Sequence, residues 1–153
     1  MTAEQRLKEL GLTLPELSAG GLASAHPYVI SGSHLYLSGR GAPFVKDTGY
    51  KGKVGAEISV EEATGHARDV ALYFLAQIKG ALGDFSRVKQ VVRVFAMVNA
   101  IPEFTGHSQV VNGCSDLLVA VLGERGKHAR SAIGVGSLPR GFAVEIEATV
   151  EIE

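Results

Sequence analysis

Tryptophan is missing from this chain, cysteine occurs once, and the charges almost cancel. Each scarcity closes off a class of protein. The single thiol, Cys114, rules out an internal disulfide and fits a reducing cytoplasm, where the protein is expected to reside. It lies in a helical apolar pattern, the setting of a core residue rather than of a nucleophile. Lys and Arg number 15 against 16 acidic residues, so no global field draws the chain to nucleic acid or to an anionic membrane. Aromatic residues amount to 7%, many of them on core stripes, which argues against a stacking surface for RNA bases. No apolar run could span a bilayer, and Met1–Leu10 is amphipathic and charged, unlike a signal peptide. Cys-x-x-Cys, His-Glu-x-x-His, a phosphate-binding Gly-Lys-Ser/Thr and Gly-x-Ser-x-Gly are all absent. His26, His34, His66, His107 and His128 show no ligand spacing on a shared face, so neither a metal nor a cofactor is expected.

What is present is a chain of 153 residues, 46% hydrophobic and 20% charged, the composition of one soluble globular domain. The domain is expected over residues 1–153, with 1–21 as an N-terminal extension: a short helix at 2–10 and a Gly/Leu/Pro-punctuated arm to about Ala25. Tyr28–Ile30 and His34–Ser38 read as a hairpin around Ser31-Gly32-Ser33. Residues 39–57 hold five glycines, Pro43 and Asp47, and read as a long loop. Ser59 and Glu62 form a capping box for a helix whose stripe runs from Ala63 to Leu82 and stops at Gly83. Arg87–Asn99 reads as an interior strand, with Val88, Val92, Val94, Ala96 and Val98 on one face and Val91, Phe95 and Met97 on the other. A second long helix spans His107–Leu122. Gly113 in its middle costs about 1 kcal/mol of helix propensity, so a close contact is expected to require it.

The last 24 residues, Arg130–Glu153, are the most informative. After Pro139-Arg140-Gly141, read as a type I turn, Phe142, Val144, Ile146, Ala148, Val150 and Ile152 share one face of a strand. Ala143, Glu145, Glu147, Thr149, Glu151 and Glu153 share the other. In the strand before the turn, Arg130, Ala132, Gly134 and Gly136 make a row with one guanidinium and almost no side chains. Such a row admits a second backbone or leaves room for a small molecule beside the arginine. The element order is β-β-α-β-α-β-β, which implies an α+β two-layer sandwich: one mixed sheet with two helices on a single face. The helix-free face carries either the arginine row or the glutamate row, and oligomerisation would cover its apolar patches.

This order, together with Ser38-Gly39, the Val94-Phe95 strand leading to Asn99, Ala129-Arg130-Ser131, Leu138-Pro139 and Val144-Glu145-Ile146-Glu147-Ala148, resembles the YjgF/Rid family over residues 22–153. Its members are the reactive intermediate deaminases, often described as L-PSP endoribonucleases. It implies a chorismate-mutase-like fold and a homotrimer with ligand sites in the clefts between subunits. The reaction it implies is hydrolysis of enamine or imine intermediates such as 2-aminoacrylate to 2-oxo acids and ammonia, without metal or cofactor. Position by position, Arg130 matches the arginine that grips the substrate carboxylate and Glu145 the glutamate that orients the hydrolytic water. Asn112 matches a helix asparagine, Gly39 a glycine whose backbone lines the pocket, and Tyr28 a pocket tyrosine. Ala132 stands where a cysteine is common in the deaminating branch. Arg40 stands where glutamine usually follows Ser-Gly, as a second anion contact or a subunit-interface salt bridge. These departures mark a divergent subgroup.

The chemistry is coherent without the resemblance. A planar guanidinium holds a carboxylate through two parallel hydrogen bonds, and a conjugated imine needs only that orientation and a placed water. Glu145, on a strand read as adjoining that of Arg130, is expected to reach the same cleft. The alternative is a non-catalytic trimer that binds a small carboxylate as a sensor or as partner of a pathway enzyme. An endoribonuclease is the less favoured reading.

Overall fold

Reciprocal caps start two of the helices. The Thr2 hydroxyl accepts from the Gln5 amide at 3.2 Å while the Gln5 side chain accepts from the Thr2 amide at 2.8 Å. Ser59 and Glu62 repeat the arrangement at 3.1 and 2.8 Å. The helices so begun are α1 (Ala3–Glu9) and α2 (Val60–Leu82). The computed structural model describes residues 1–17, 24–42 and 51–153; Pro43, Asp47 and part of the arm before Ala25, named above, lie outside them. The remaining elements are β1 (Tyr28–Ser31), β2 (His34–Arg40), β3 (Val88–Asn99), α3 (His107–Leu122), β4 (Ala129–Val135) and β5 (Val144–Ile152).

The strands form one sheet in the order β1-β2-β5-β3-β4, in which only β3 and β4 run parallel. α3 is the crossover between them, as a parallel pair requires. Leu35, Leu37, Val94, Ala96, Val98, Ile146 and Val150 are buried on the helix side, in one core cluster with Val70, Phe74, Ile78, Val111, Cys114 and Leu118. The alternation of the last strand is borne out from Val144 to Ile152, where Val144, Ile146, Ala148, Val150 and Ile152 are buried; Ala143, expected on the other face, is buried beside Phe142 ahead of the strand. The short helix expected at 2–10 is present as α1. α1 buries Ala3 and Leu7, and the Arg6 guanidinium donates to the Val121 carbonyl at 3.3 Å, over Gly123 at the end of α3.

Three local readings are corrected. Val91 is buried and Val92 is 38% exposed, the reverse of simple alternation. The register of β3 against β5 shifts twice, between Val88 and Gln90 and between Val91 and Arg93, and each bulge turns the following residues over. The turn before β5 places Arg140 at φ 57°, ψ 11°, with the Gly141 amide bonded to Leu138 O at 3.0 Å; a left-handed third residue belongs to a type II rather than a type I turn. Finally, β4 and β5 are not neighbours. The crossover sets β4 against one edge of β3, and β5 occupies the other, so β3 separates Arg130 from Glu145.

Gly113 does have the contact its position suggested. A Cβ there would lie 2.0 Å from the Thr64 carbonyl oxygen of α2, so the two helices meet backbone to backbone. Gly113→Ala should therefore destabilise the fold by about 1–3 kcal/mol, the usual cost of overpacking, despite alanine's better helix propensity. Thermal or denaturant unfolding measures it, and a more stable variant would show that the helices are free to separate.

Candidate active site

α3 carries a polar stripe at Ser108, Asn112 and Ser115, spaced i, i+4, i+7 beside its apolar face. The parallel register pairs Arg130 with Val94, Ala132 with Ala96 and Gly134 with Val98, all on the helix side of the sheet. The arginine row thus faces α3, and the glutamate row occupies the helix-free face. Arg130 Nη1 donates to Asn112 Oδ1 at 2.8 Å and to Ser115 Oγ at 3.1 Å, and Nη2 reaches the Ser108 carbonyl at 3.5 Å. Both Nη1 hydrogens are committed. The Nε hydrogen and the second Nη2 hydrogen form an edge suited to the two oxygens of a carboxylate. Among the described residues, no carboxylate pairs with this guanidinium.

Behind Arg130, Ser115 Oγ lies 2.8 Å from His128 Nε2, and His128 Nδ1 lies 2.6 Å from the Gly126 carbonyl. Burial holds the His128 ring below the usual histidine range; the Gly126 hydrogen bond opposes this and the Arg130 charge adds to it. Ser115 is thus held between two groups, accepting from Arg130 Nη1 and lying against the His128 ring. Cys114, next to the stripe, is fully buried, and burial pushes its thiol up to about 12 against the opposing pull of Arg130. Further along the row, His107 Nε2 occupies the space a Gly134 side chain would need, 2.5 Å from its Cβ position. His107 and Phe104, their rings 5.0 Å apart, wall a cavity of about 270 Å³ floored by Gly134 and Gly136.

Glu145 stands elsewhere. It pairs in register with Met97 on the helix-free face, and its Oε2 lies 3.3 Å from where a Gly39 Cβ would be. The bulge between Leu37 and Arg40 brings Gly39 there. Burial, then the charge of Glu147, raises the Glu145 carboxyl above the usual carboxylate range. Arg40 turns to the helix side, stacks over Tyr73 at 4.4 Å and hydrogen-bonds its hydroxyl. Tyr28 starts β1, at the sheet edge opposite β4, roughly 19 Å from Arg130 at about 4.8 Å per strand. The structure therefore joins Arg130 to Asn112, with Ala132 beside them, and Gly39 to Glu145. Within one chain it does not join these pairs, and Tyr28 and Arg40 stand apart from both. Ser108, Ser115 and the full role of His128 were missed from sequence. The polar spacing on α3 was the available signal.

A family model described as "YjgF/chorismate_mutase-like, putative endoribonuclease" matches residues 4–142. The chain belongs to the YjgF family. Among similar proteins, Protein TCP17 of Trypanosoma cruzi is 44% identical over 149 residues, covering 95% of this chain and 91% of that protein. The crystal structure of Atu1372 from Agrobacterium tumefaciens, of unknown function, superposes with TM-score 0.89 at 42% identity, covering 99% and 94% of the two chains. A Shewanella oneidensis protein described as a putative endoribonuclease gives TM-score 0.92 at 34% identity, covering 99% and 100%.

The Cys114 environment makes a direct expectation for this YjgF-family chain. A thiol-directed disulfide reagent at pH 8 should leave the native protein unlabelled and react fully once it unfolds. Rapid labelling of folded protein would show that the α3–β4 layer opens.

Proposed function

We propose that this chain hydrolyses small 2-imino and 2-enamino acids to 2-oxo acids and ammonia, in a site shared between copies of a homotrimer. The observation that carries the reading is the open edge of Arg130, a guanidinium fixed by neutral partners and, among the described residues, paired with no carboxylate. A ligand carboxylate supplies the missing partner. The imine carbon then stands where a water can add; the carbinolamine collapses as the C–N bond breaks, and ammonia leaves with the nitrogen. Glu145 is the group suited to orient that water. Its half-buried carboxylate gains basicity from desolvation.

Arg130 and Glu145 face opposite sides of one sheet, so a second copy must bring a Gly39–Glu145 face to an Arg130 edge. The helix-free face supports such assembly: Val29 is 49%, Tyr36 47% and Ile133 42% exposed there. Light scattering should give a trimer at micromolar concentration. A monomer would leave the two halves apart and end this reading.

In an assay that generates 2-aminoacrylate in situ, Arg130→Ala should abolish turnover while the protein stays folded, and Arg130→Lys should rescue poorly because it lacks the two-point geometry. Glu145→Gln should lower kcat by about 10²-fold with little change in 2-oxo-acid affinity. Because Glu145 works ionised and its carboxyl is raised, wild-type activity should fall as pH drops through a value above the ordinary carboxylate range. Glu145→Gln should lose that limb. An unchanged kcat would remove Glu145 from the site.

Ala132 favours a second reading, a trimer that binds carboxylates without turnover, since its methyl group offers no polar atom beside Arg130. Thermal stabilisation by 2-oxo acids with no product formed would select it.

A further inference from the structure

The hydrogen bonds behind Arg130 have a direction that one proton would reverse. The Gly126 carbonyl can only accept, so His128 Nδ1 carries the hydrogen of that 2.6 Å bond. Neutral His128 then presents a bare Nε2, to which the Ser115 hydroxyl donates at 2.8 Å while accepting from Arg130 Nη1 at 3.1 Å. Once Nε2 gains a proton it becomes a donor too. The Ser115 oxygen accepts from both sides, and its own hydrogen is released from the chain.

We propose that Ser115 and His128 couple a proton to the anion that Arg130 captures: a carboxylate on the guanidinium draws a proton onto His128 Nε2, which turns the Ser115 hydroxyl from donor to acceptor in that bond. The proposal rests on the reading of Arg130 as a carboxylate anchor and deepens it. The surroundings leave Arg130 as the charge that governs the ring. On the turn before β4, Lys127 and Glu124 pair with each other at 2.8 Å. On α3, Cys114 is a neutral thiol and Asp116 is exposed. On β3, the Gln90 amide binds the Glu124 and Lys127 carbonyls, and Arg93 lies over Phe95, 5.6 Å from its centroid, on the helix-free face. A carboxylate neutralises the charge that repels a proton from His128. By reciprocity, protonated His128 tightens the carboxylate.

Ser115 and His128 thus act through Arg130 as positioning residues.

Two measurements test the coupling. In the ligand-free protein, NMR titration of His128 should shift upward by about half a unit or more in Arg130→Gln, which removes the charge and keeps a hydrogen-bonding side chain. An unmoved titration overturns the proposal. Calorimetric titration with pyruvate near pH 7, in phosphate and in Tris, reads the protons exchanged on binding. Wild type should take up a fraction of a proton and His128→Asn none. Pyruvate bound without proton uptake overturns the coupling and leaves the carboxylate anchor standing; pyruvate that does not bind overturns both. Wild-type affinity for pyruvate should fall as pH rises through the His128 titration, and that fall should vanish in His128→Asn. A uniform loss across pH would mark a merely structural role.

Discussion

A strand that returns parallel to its predecessor needs a connection long enough to cross the sheet, and here that connection is α3. Nearly every feature of the site follows from the crossover. It lays the polar stripe of α3 over the helix-side row of β4, so that a guanidinium meets an amide oxygen, a hydroxyl and a carbonyl from one helix. It carries the chain through the Gly123–Gly126 turn, which leaves the Gly126 carbonyl pointing at His128. It also fixes β4 as the sheet edge, where the open side of the arginine can be reached. The crossover is rigid because α3 touches α2 at backbone distance through Gly113 and because α1 braces its far end through Arg6.

The elements themselves were legible because periodicity is a local property. The β5 alternation, the Ser59–Glu62 box and the stripe from Ala63 to Leu82 can each be read from neighbours in sequence, and each matches. What was not legible depends on pairing partners. A bulge in β3 is decided by β5, so no count along β3 alone could place Val91 inside and Val92 outside. Whether Arg130 faces the helices depends on its register with Val94, a residue 36 positions earlier in sequence. Arg130 and Asn112 could be named from their resemblance, whereas Ser115 and His128 gain meaning only once α3 and β4 are docked.

The two candidate halves answer different physical demands. Arg130 is held by dipoles, at the cost of ordering Asn112 and Ser115. Glu145 sits among apolar and like-charged groups that make its ionised form expensive. A fold that places them on opposite faces prevents each from neutralising the other within one chain. An internal ion pair would be the stable and inert outcome; keeping them apart preserves both for a third party.

The dipolar cradle also sets how the protein should respond to ionic strength. Amide, hydroxyl and carbonyl contacts are little affected by dissolved ions, and among the described residues these are what hold Arg130. An incoming anion adds an attraction between full charges, partly exposed and open to screening over about 8 Å at physiological salt. Stability and capture are thereby separated. Salt can loosen the hold on a ligand while leaving the hand that holds it unchanged.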